Sequence, residues 1–409
     1  MKPTRQILLI NGSPRTEGHT QQILDVAKET LDGISGVETI SCFVGGDNHE
    51  ELATLWQKAD GIIMGAPVYT YGPPSGLYAF FGFLRTHLDQ GNAGNQPKPI
   101  GLISQGGASY SGAEENANIL QSLALSVGCV PVSADMPGFS QAVIGQVADQ
   151  AGMDATLFEG ACGLAARLME MVEILAAGQD AEKSAVRLLC VTAGQGGAPV
   201  LRESVFKGAG QAFNGDLTTD SFDFSGKEMA PCLACTQYCS KDLECVYHDA
   251  MQEFRAKWLQ ADALVWLVGA HEFGIDPALI AAIDRMNQTR FEIHFAVGQA
   301  HMPRYVKSMG VLASGNHSER IAAAIRFLRQ SAVLYQNVLI PQESFGGCGI
   351  CHEHPAFLSA DDSEKAVILG REAVKLAVVL QAGLTALAGK LPEAYYPSRE
   401  HYGVTENNP

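Results

Sequence analysis

The sequence predicts an α/β protein built from two tandem domains, each an open, doubly wound parallel sheet. Three observations predict it. Short apolar runs beside turn signals alternate with helical patterns, the order of βα units. The whole order occurs twice along the chain. The 409 residues also exceed one ordinary core, at roughly 100–200 residues per domain.

In the first copy, residues 6–10, 61–65, 100–104 and 129–132 are apolar runs suited to strands buried on both faces. Helical patterns cover 20–31 and 114–127, and a helix over 158–176 closes the domain. The second copy repeats the order with strands at 187–192, 263–269, 308–313 and 338–341 and a closing helix near 363–380. The polar stretch 178–183 is the expected linker, which gives domains at 1–178 and 186–395.

Three landmarks carry the repeat. Ile7 matches Leu188 at an offset of 181, and Trp56-Gln57-Lys58-Ala59-Asp60 matches Trp258-Leu259-Gln260-Ala261-Asp262 at 202. Gly101 matches Gly310 at 209. The offset grows by 21 between the first two landmarks, and that interval of the second copy holds four cysteines, so the cysteines sit largely in an insertion.

Composition bounds the function. A net charge of −16 argues against a nucleic-acid partner, because phosphate backbones call for Lys and Arg patches. No apolar run of about 18 or more residues suggests a membrane span. The N-terminal residues run straight into a strand with no secretory pattern, so a cytoplasmic location is expected. Ten cysteines there point to metal or redox chemistry before disulfides.

Asn11-Gly12-Ser13-Pro14-Arg15-Thr16-Glu17-Gly18-His19-Thr20 follows a strand and precedes a helix. A phosphate needs converging N–H donors, hydroxyls and positive charge, and a loop ending at a helix N-terminus supplies them. Ser13 and Thr20 add hydroxyls, and Arg15 adds a guanidinium. The loop is neither Walker A nor the dinucleotide Gly-x-Gly-x-x-Gly; the bland alternative is an ordinary capped βα turn. Two further loops fall outside the carboxyl ends of strands, where such sheets bind ligands. They are Pro67-Val68-Tyr69-Thr70-Tyr71-Gly72 and Gln105-Gly106-Gly107-Ala108-Ser109-Tyr110.

Cys232, Cys235, Cys239 and Cys245 lie within fourteen residues, a thiolate set able to surround zinc or an iron–sulfur centre, or to stay unmetallated. Cys348 and Cys351 form a second pair, in Cys348-Gly349-Ile350-Cys351-His352. That run matches the c-type haem pattern formally, but haem attachment belongs outside the cytoplasm; a redox dithiol, support for the neighbouring cluster, zinc and plain structural thiols all stay open. Cys42, Cys129, Cys162 and Cys190 have the context of small core residues. His271 and Glu272 end a strand and are read as polar pocket lining.

These residues resemble the flavodoxin-like NADPH-dependent FMN reductase family and, with the cysteines, its iron–sulfur flavoprotein branch. Gly12-Ser13-Pro14-Arg15 meets the family's Gly-Ser-x-Arg turn, Gly18-His19-Thr20 its Gly-x-Thr, and Pro67-Val68-Tyr69 its Pro-x-Tyr flavin loop. The resemblance implies two tandem flavodoxin-like domains, with FMN on the first. Its expected ligands are Ser13, Arg15, Gly18, His19, Thr20, Pro67, Val68, Tyr69, Thr70, Tyr71, Gly72, Gly106 and Gly107. The second copy has lost the Pro and Tyr of the flavin loop but keeps the family's Asp-Arg as Asp284-Arg285, where the first has Gly82-Phe83.

The resemblance also implies a [4Fe–4S] cluster on Cys232, Cys235, Cys239 and Cys245, although the spacing of two, three and five has one residue more in its middle step than the related proteins. Electrons would pass from NAD(P)H through FMN to the cluster and on to a small-molecule or protein acceptor, in a self-associating protein. Two alternatives remain: an NAD(P)H-dependent flavin or quinone reductase with zinc or free thiols, and a flavodoxin-like carrier or redox sensor without turnover.

Overall fold

The computed structural model describes residues 4–45, 48–89, 97–107, 112–132, 143–148, 152–153, 155–179, 185–194, 198–235, 238–239, 244–270, 274–286, 306–334, 337–341, 349–351, 359–388 and 390. The chain divides into two compact units, Met1–Glu173 and Ile174–Pro409. Each is an α/β sheet, as the sequence predicts.

In the first unit β1 (Arg5–Asn11), β3 (Gly61–Pro67) and β4 (Lys98–Gly106) form the sheet centre, with β2 (Val37–Phe43) beside β1. All these strands are parallel. The fifth position is split. β5 (Cys129–Pro131) pairs with the start of β4 and β6 (Val143–Ala148) with its end, and β7 (Gly152–Met153) runs antiparallel to β6. The helices are α1 (His19–Asp32), α2 (His49–Lys58), α3 (Ser75–His87) and α4 (Ala113–Ser126), with α5 (Ala155–Gln179) at the end of the repeat. The central strands are apolar almost throughout because both faces are covered. Leu8, Ile10, Trp56, Ile62, Met64, Leu77 and Phe80 anchor the core on one side.

The second unit orders its sheet β12-β11-β10-β8-β9. These are β8 (Ala185–Ala193), β9 (Asp216–Asp223), β10 (Ala263–Gly269), β11 (Ser308–Gly315) and β12 (Val338–Leu339). β13 (Gly349–Cys351) pairs with the far end of β11, so the fifth position is split here as well. Its helices are α6 (Ala198–Ala212), α7 (Ala250–Gln260), α8 (Pro277–Arg285), α9 (Ser318–Leu334) and α10 (Ala360–Ala386).

The duplication extends to individual hydrogen bonds. Gln6 N–H donates to the Asp60 carboxylate at 2.8 Å, and Arg187 N–H donates to that of Asp262 at 2.9 Å. Lys98 Nζ reaches the carbonyls of Gln57 and Ala59 at the end of α2; Lys307 Nζ reaches those of Leu259 and Ala261 at the end of α7. Val68 N–H donates to Gln105 O, and Ala270 N–H to Ser314 O. Each pair keeps the offsets read from the sequence. Those lysines satisfy helix carbonyls that have no partner inside the helix.

Two features were not placed by sequence reasoning. The edge strands β2 and β9 are half exposed and polar, as in Asp216-Leu217-Thr218-Thr219-Asp220, so they lack the apolar run that marks a central strand. Cys162, read as a core residue, is exposed on α5.

Candidate functional site

The first candidate site is assembled at the carboxyl ends of β1, β3 and β4, beside the point where the strand order reverses. Asn11, the last residue of β1, organises the loop above it. Its Oδ1 accepts from Ser13 N–H at 2.9 Å, an Asx turn. Its Nδ2 donates to Gln21 Oε1 at 2.9 Å and to Arg15 O at 3.4 Å. Ser13 Oγ accepts from Arg15 N–H at 3.1 Å. Ser13 is buried at the foot of the loop, while Arg15, Gly18 and His19 are exposed along its rim. No side chain caps the first turn of α1, where Gly18 is the N-cap, so its first N–H groups are left without a side-chain acceptor at the cap.

Thr20 sits on the first turn of α1 and is 2% exposed. Its Oγ1 accepts from Gln105 Nε2 at 2.5 Å. Gln105 is 6% exposed at the end of β4, and its Oε1 has no partner among the described residues. Thr20 and Gln105 thus join two of the three loops expected to hold a ligand. Beside them Asn116 Nδ2 donates to Ser104 Oγ at 2.8 Å and Ala66 O at 3.3 Å, tying α4 to the ends of β3 and β4.

The third loop is a tight reversal. Tyr69 N–H donates to Gly72 O at 2.7 Å and Gly72 N–H returns to Tyr69 O at 3.1 Å. The two residues between, Thr70 and Tyr71, have φ of 49° and 67°. This is the two-residue turn that favours Asn-Gly, made here from a β-branched and an aromatic residue, so it is strained. Strain of this kind gathers at ligand-binding positions. Pro67 and Val68 are half-buried below it, and Val68 N–H is held by Gln105 O at 2.9 Å. Tyr71, 64% exposed, lies over Gly112, whose φ is +86° and where a Cβ would meet Tyr71 Cδ1 at 2.6 Å. Gly106 is buried and Gly107 exposed; residues 108–111 lie outside the described ones.

The same edge of the second unit is chemically different. Gly194 stands at the repeat position of Ser13 with φ +74°, and a Cβ there would lie 2.6 Å from Gly269 O. Ser314 stands in place of Gln105. His271, Glu272 and Cys348 lie outside the described residues; the backbone of Cys351 ends β13 beside Gly315.

The four cysteines follow β9. Ala234 N–H donates to Cys232 Sγ at 3.4 Å, in a turn that places Ala234 at φ 53°. Cys239 N–H donates to Cys235 O at 3.3 Å. The Cys239 thiol is pushed up to about 11, by burial first and then by Cys235, which also hydrogen-bonds it, with Cys245 and Cys232 adding to the effect. The four sulfurs therefore share one electrostatic environment. Among the described residues no group of three or more His, Cys, Asp or Glu side chains is arranged to hold a metal ion. By contrast, burial above all drives the Cys42, Cys129 and Cys190 thiols up to about 12, with nearby charges such as Glu51, Lys98 and Arg202 as smaller causes, which marks them as inert packing residues.

Beneath this loop Arg285, at the end of α8, is buried with a side chain 1% exposed. Its Nη1 donates to Asp249 Oδ2 at 2.6 Å and to Ala230 O at 3.2 Å, its Nη2 donates to Tyr247 O at 3.4 Å, and it hydrogen-bonds the Cys245 side chain. Asp249 also accepts from Ala230 N–H and caps α7 through Met251 N–H. Burial raises the Asp249 carboxyl, but Arg285 and the two amides outweigh it and hold it below its usual value. Neither Asp249 nor the role of Asn11 and Gln105 was singled out from the sequence. The one available signal was an Asn closing an apolar strand just before Gly-Ser.

The profile of the NADPH-dependent FMN reductase family matches this chain twice, at residues 5–144 and 195–345. The chain belongs to that family. Comparison with curated proteins returns no significant match. Among solved structures it is similar to a flavodoxin, WrbA-like protein from Agrobacterium tumefaciens, at 18% identity over 41% of this chain and 97% of that one, TM-score 0.34. It is similar also to rubredoxin oxygen:oxidoreductase from Desulfovibrio gigas, at 17% over 42% and 37%, TM-score 0.32. An oxidoreductase from Corynebacterium diphtheriae matches at 15% over 48% and 98%, TM-score 0.31. The family makes the chain a flavodoxin-like oxidoreductase related to FMN reductases. Among the described residues no helix is long and apolar enough to cross a membrane.

Proposed function

We propose that this protein passes electrons from NAD(P)H through one FMN, held by the first unit, to an iron–sulfur cluster on Cys232, Cys235, Cys239 and Cys245, and on to a small-molecule or protein acceptor. The observation that carries the FMN assignment is the buried Thr20–Gln105 link below an uncapped helix N-terminus. Buried polar atoms are normally paired, and the unpartnered Gln105 Oε1 beside a phosphate-type loop is accounted for by a ligand donor.

FMN, when bound, accepts two electrons as hydride and releases them singly. The chain's part is to hold it. Ser13, Thr20 and the first turn of α1, with Arg15 and His19 on the rim, suit its phosphate. The Pro67–Gly72 turn and Gly106–Gly107 suit its ring, with Tyr69 and Tyr71 exposed over the mouth. The exposed large apolar side chains among the described residues are Tyr69, Tyr71 and Tyr78 in the first unit and Leu233, Tyr238 and Val246 around the cysteines. Both loops therefore offer apolar surface to a donor or acceptor.

The cysteine donor set suits a thiolate-bound cluster. Cys239 is raised first by burial and then by the three other thiols, and metal binding relieves that second, repulsive part. An Ala234 N–H already directed at Cys232 Sγ stabilises a thiolate. A second reading, a plain flavin-dependent reductase with free thiols, draws support from the Cys235–Cys239 hydrogen bond, which two thiolates would not make. Purification without oxygen, followed by iron, zinc, sulfide and FMN analysis, separates them. About four iron and four sulfide with one FMN per chain is expected, because such a cluster takes four thiolates. One zinc or no metal, with FMN present, overturns the cluster and leaves the reductase. Rapid bleaching of the flavin by NADPH is expected of either enzyme, and its failure would favour a carrier.

A further inference from the structure

We infer that Arg285 and Asp249 form a latch that holds the two ends of the four-cysteine loop together without any metal. The inference concerns the same loop and does not depend on what that loop binds.

The latch grips both ends of the loop. Ala230, before the first cysteine, gives its N–H to Asp249 and its carbonyl to Arg285. Tyr247, two residues after the last cysteine, gives its carbonyl to the same guanidinium and also stacks against it at 5.4 Å. Asp249 closes the circuit to Arg285 at 2.6 Å and fixes the whole to the N-terminus of α7. Arg suits this task because its planar fork reaches several acceptors at once, and Lys is a single point. The first copy has no cysteine cluster, and it carries Phe83 at the position of Arg285. The latch and the thiols occur in the same copy.

Closure by the protein has a consequence. Where metal ligation alone folds a loop, removing the metal unfolds it. Here the loop ends would keep their positions when the metal leaves, so the site could be emptied and refilled without unfolding the unit.

The test uses the full-length protein stripped with a chelator under reducing conditions. Amide exchange is followed at residues 230–235 and 244–249 in the wild type, Arg285→Gln, Asp249→Asn and Arg285→Lys. Losing a charge-assisted hydrogen bond predicts exchange about tenfold to a hundredfold faster in the Gln and Asn variants. Lys, keeping the charge but not the fork, restores part of the protection. Unchanged amides in β10 and β11 show that the unit is still folded; should Arg285→Gln fail that check, the Asn and Lys variants carry the test. Equal protection in all variants overturns the latch, whatever metal the protein binds. A wild type that takes up no iron, with exchange behaving as expected, defeats the iron–sulfur reading alone.

Discussion

Thr20→Val separates a binding hydroxyl from a structural one. Valine keeps the shape of threonine, so packing around a residue only 2% exposed is preserved. What disappears is Oγ1, the acceptor for Gln105 Nε2 at 2.5 Å. Because Gln105 Oε1 is already unpartnered, both ends of a buried amide would then lack a partner among the described residues. Leaving a buried donor unsatisfied costs about 1–3 kcal/mol, which a melt of the flavin-free protein should register in the first unit. The hydroxyl proton of Thr20, not used in that bond, is free for a phosphate oxygen. Its loss should cost a further ~1.5–3 kcal/mol of binding, or roughly ten- to a hundredfold in the Kd for FMN. Flavin fluorescence quenching measures that Kd directly, and Thr20→Ser should restore both quantities. A variant that melts early yet binds FMN as tightly as the wild type would refute the reasoning. Thr20 would then be only a strut for Gln105, and the phosphate would sit elsewhere.

Gly112→Ala should place a side chain at φ +86° and drive it into Tyr71. The backbone cost is about 1–2 kcal/mol, and FMN affinity should fall with the displaced turn while unfolding of the second unit stays unchanged. Lys307→Met should strand the carbonyls of Leu259 and Ala261 in a fully buried place and cost about 2–4 kcal/mol. Lys98→Met, at the partly exposed repeat position, should cost less; equal effects in denaturant unfolding would contradict the burial difference. Alkylation of metal-free protein at pH 8, read by peptide mapping, should modify Cys162 and Cys232 while sparing Cys129 and Cys190. Burial pushes the latter thiols up to about 12, so the reactive thiolate is scarce far above that pH.

The central strands were legible because burial on both faces leaves an apolar run, and the repeat was legible because Trp56 and Trp258 are buried at matching places near the ends of α2 and α7. The turn after β1 was visible from residue types alone. What was not visible depends on pairing across distance. Gln105 meets Thr20 only after α1 and β4 are placed in one sheet, and Arg285 meets Asp249 only after α8 folds back on the N-terminus of α7. The edge strands were missed because an exposed strand has no reason to be apolar. The splitting of the fifth strand in both copies was missed because each half alone is too short to stand out.

The two copies also act as each other's control. Hydrogen bonds present in both, such as those of Lys98 and Lys307, hold the fold and cannot explain a chemical difference between the units. The bonds found in one copy are the candidates for function. On that logic the second unit should not bind FMN, and restoring one residue should not rescue it. Gly194 occupies the place of Ser13, but its φ of +74° is unfavourable for serine, and a Cβ would press to 2.6 Å from Gly269 O, a backbone atom that cannot swing away. Gly194→Ser should therefore destabilise the second unit by about 1–3 kcal/mol and leave FMN at one per chain. A variant that kept its stability and took up a second FMN would show that the second site is closed by its missing serine alone, and that its backbone still has the binding shape.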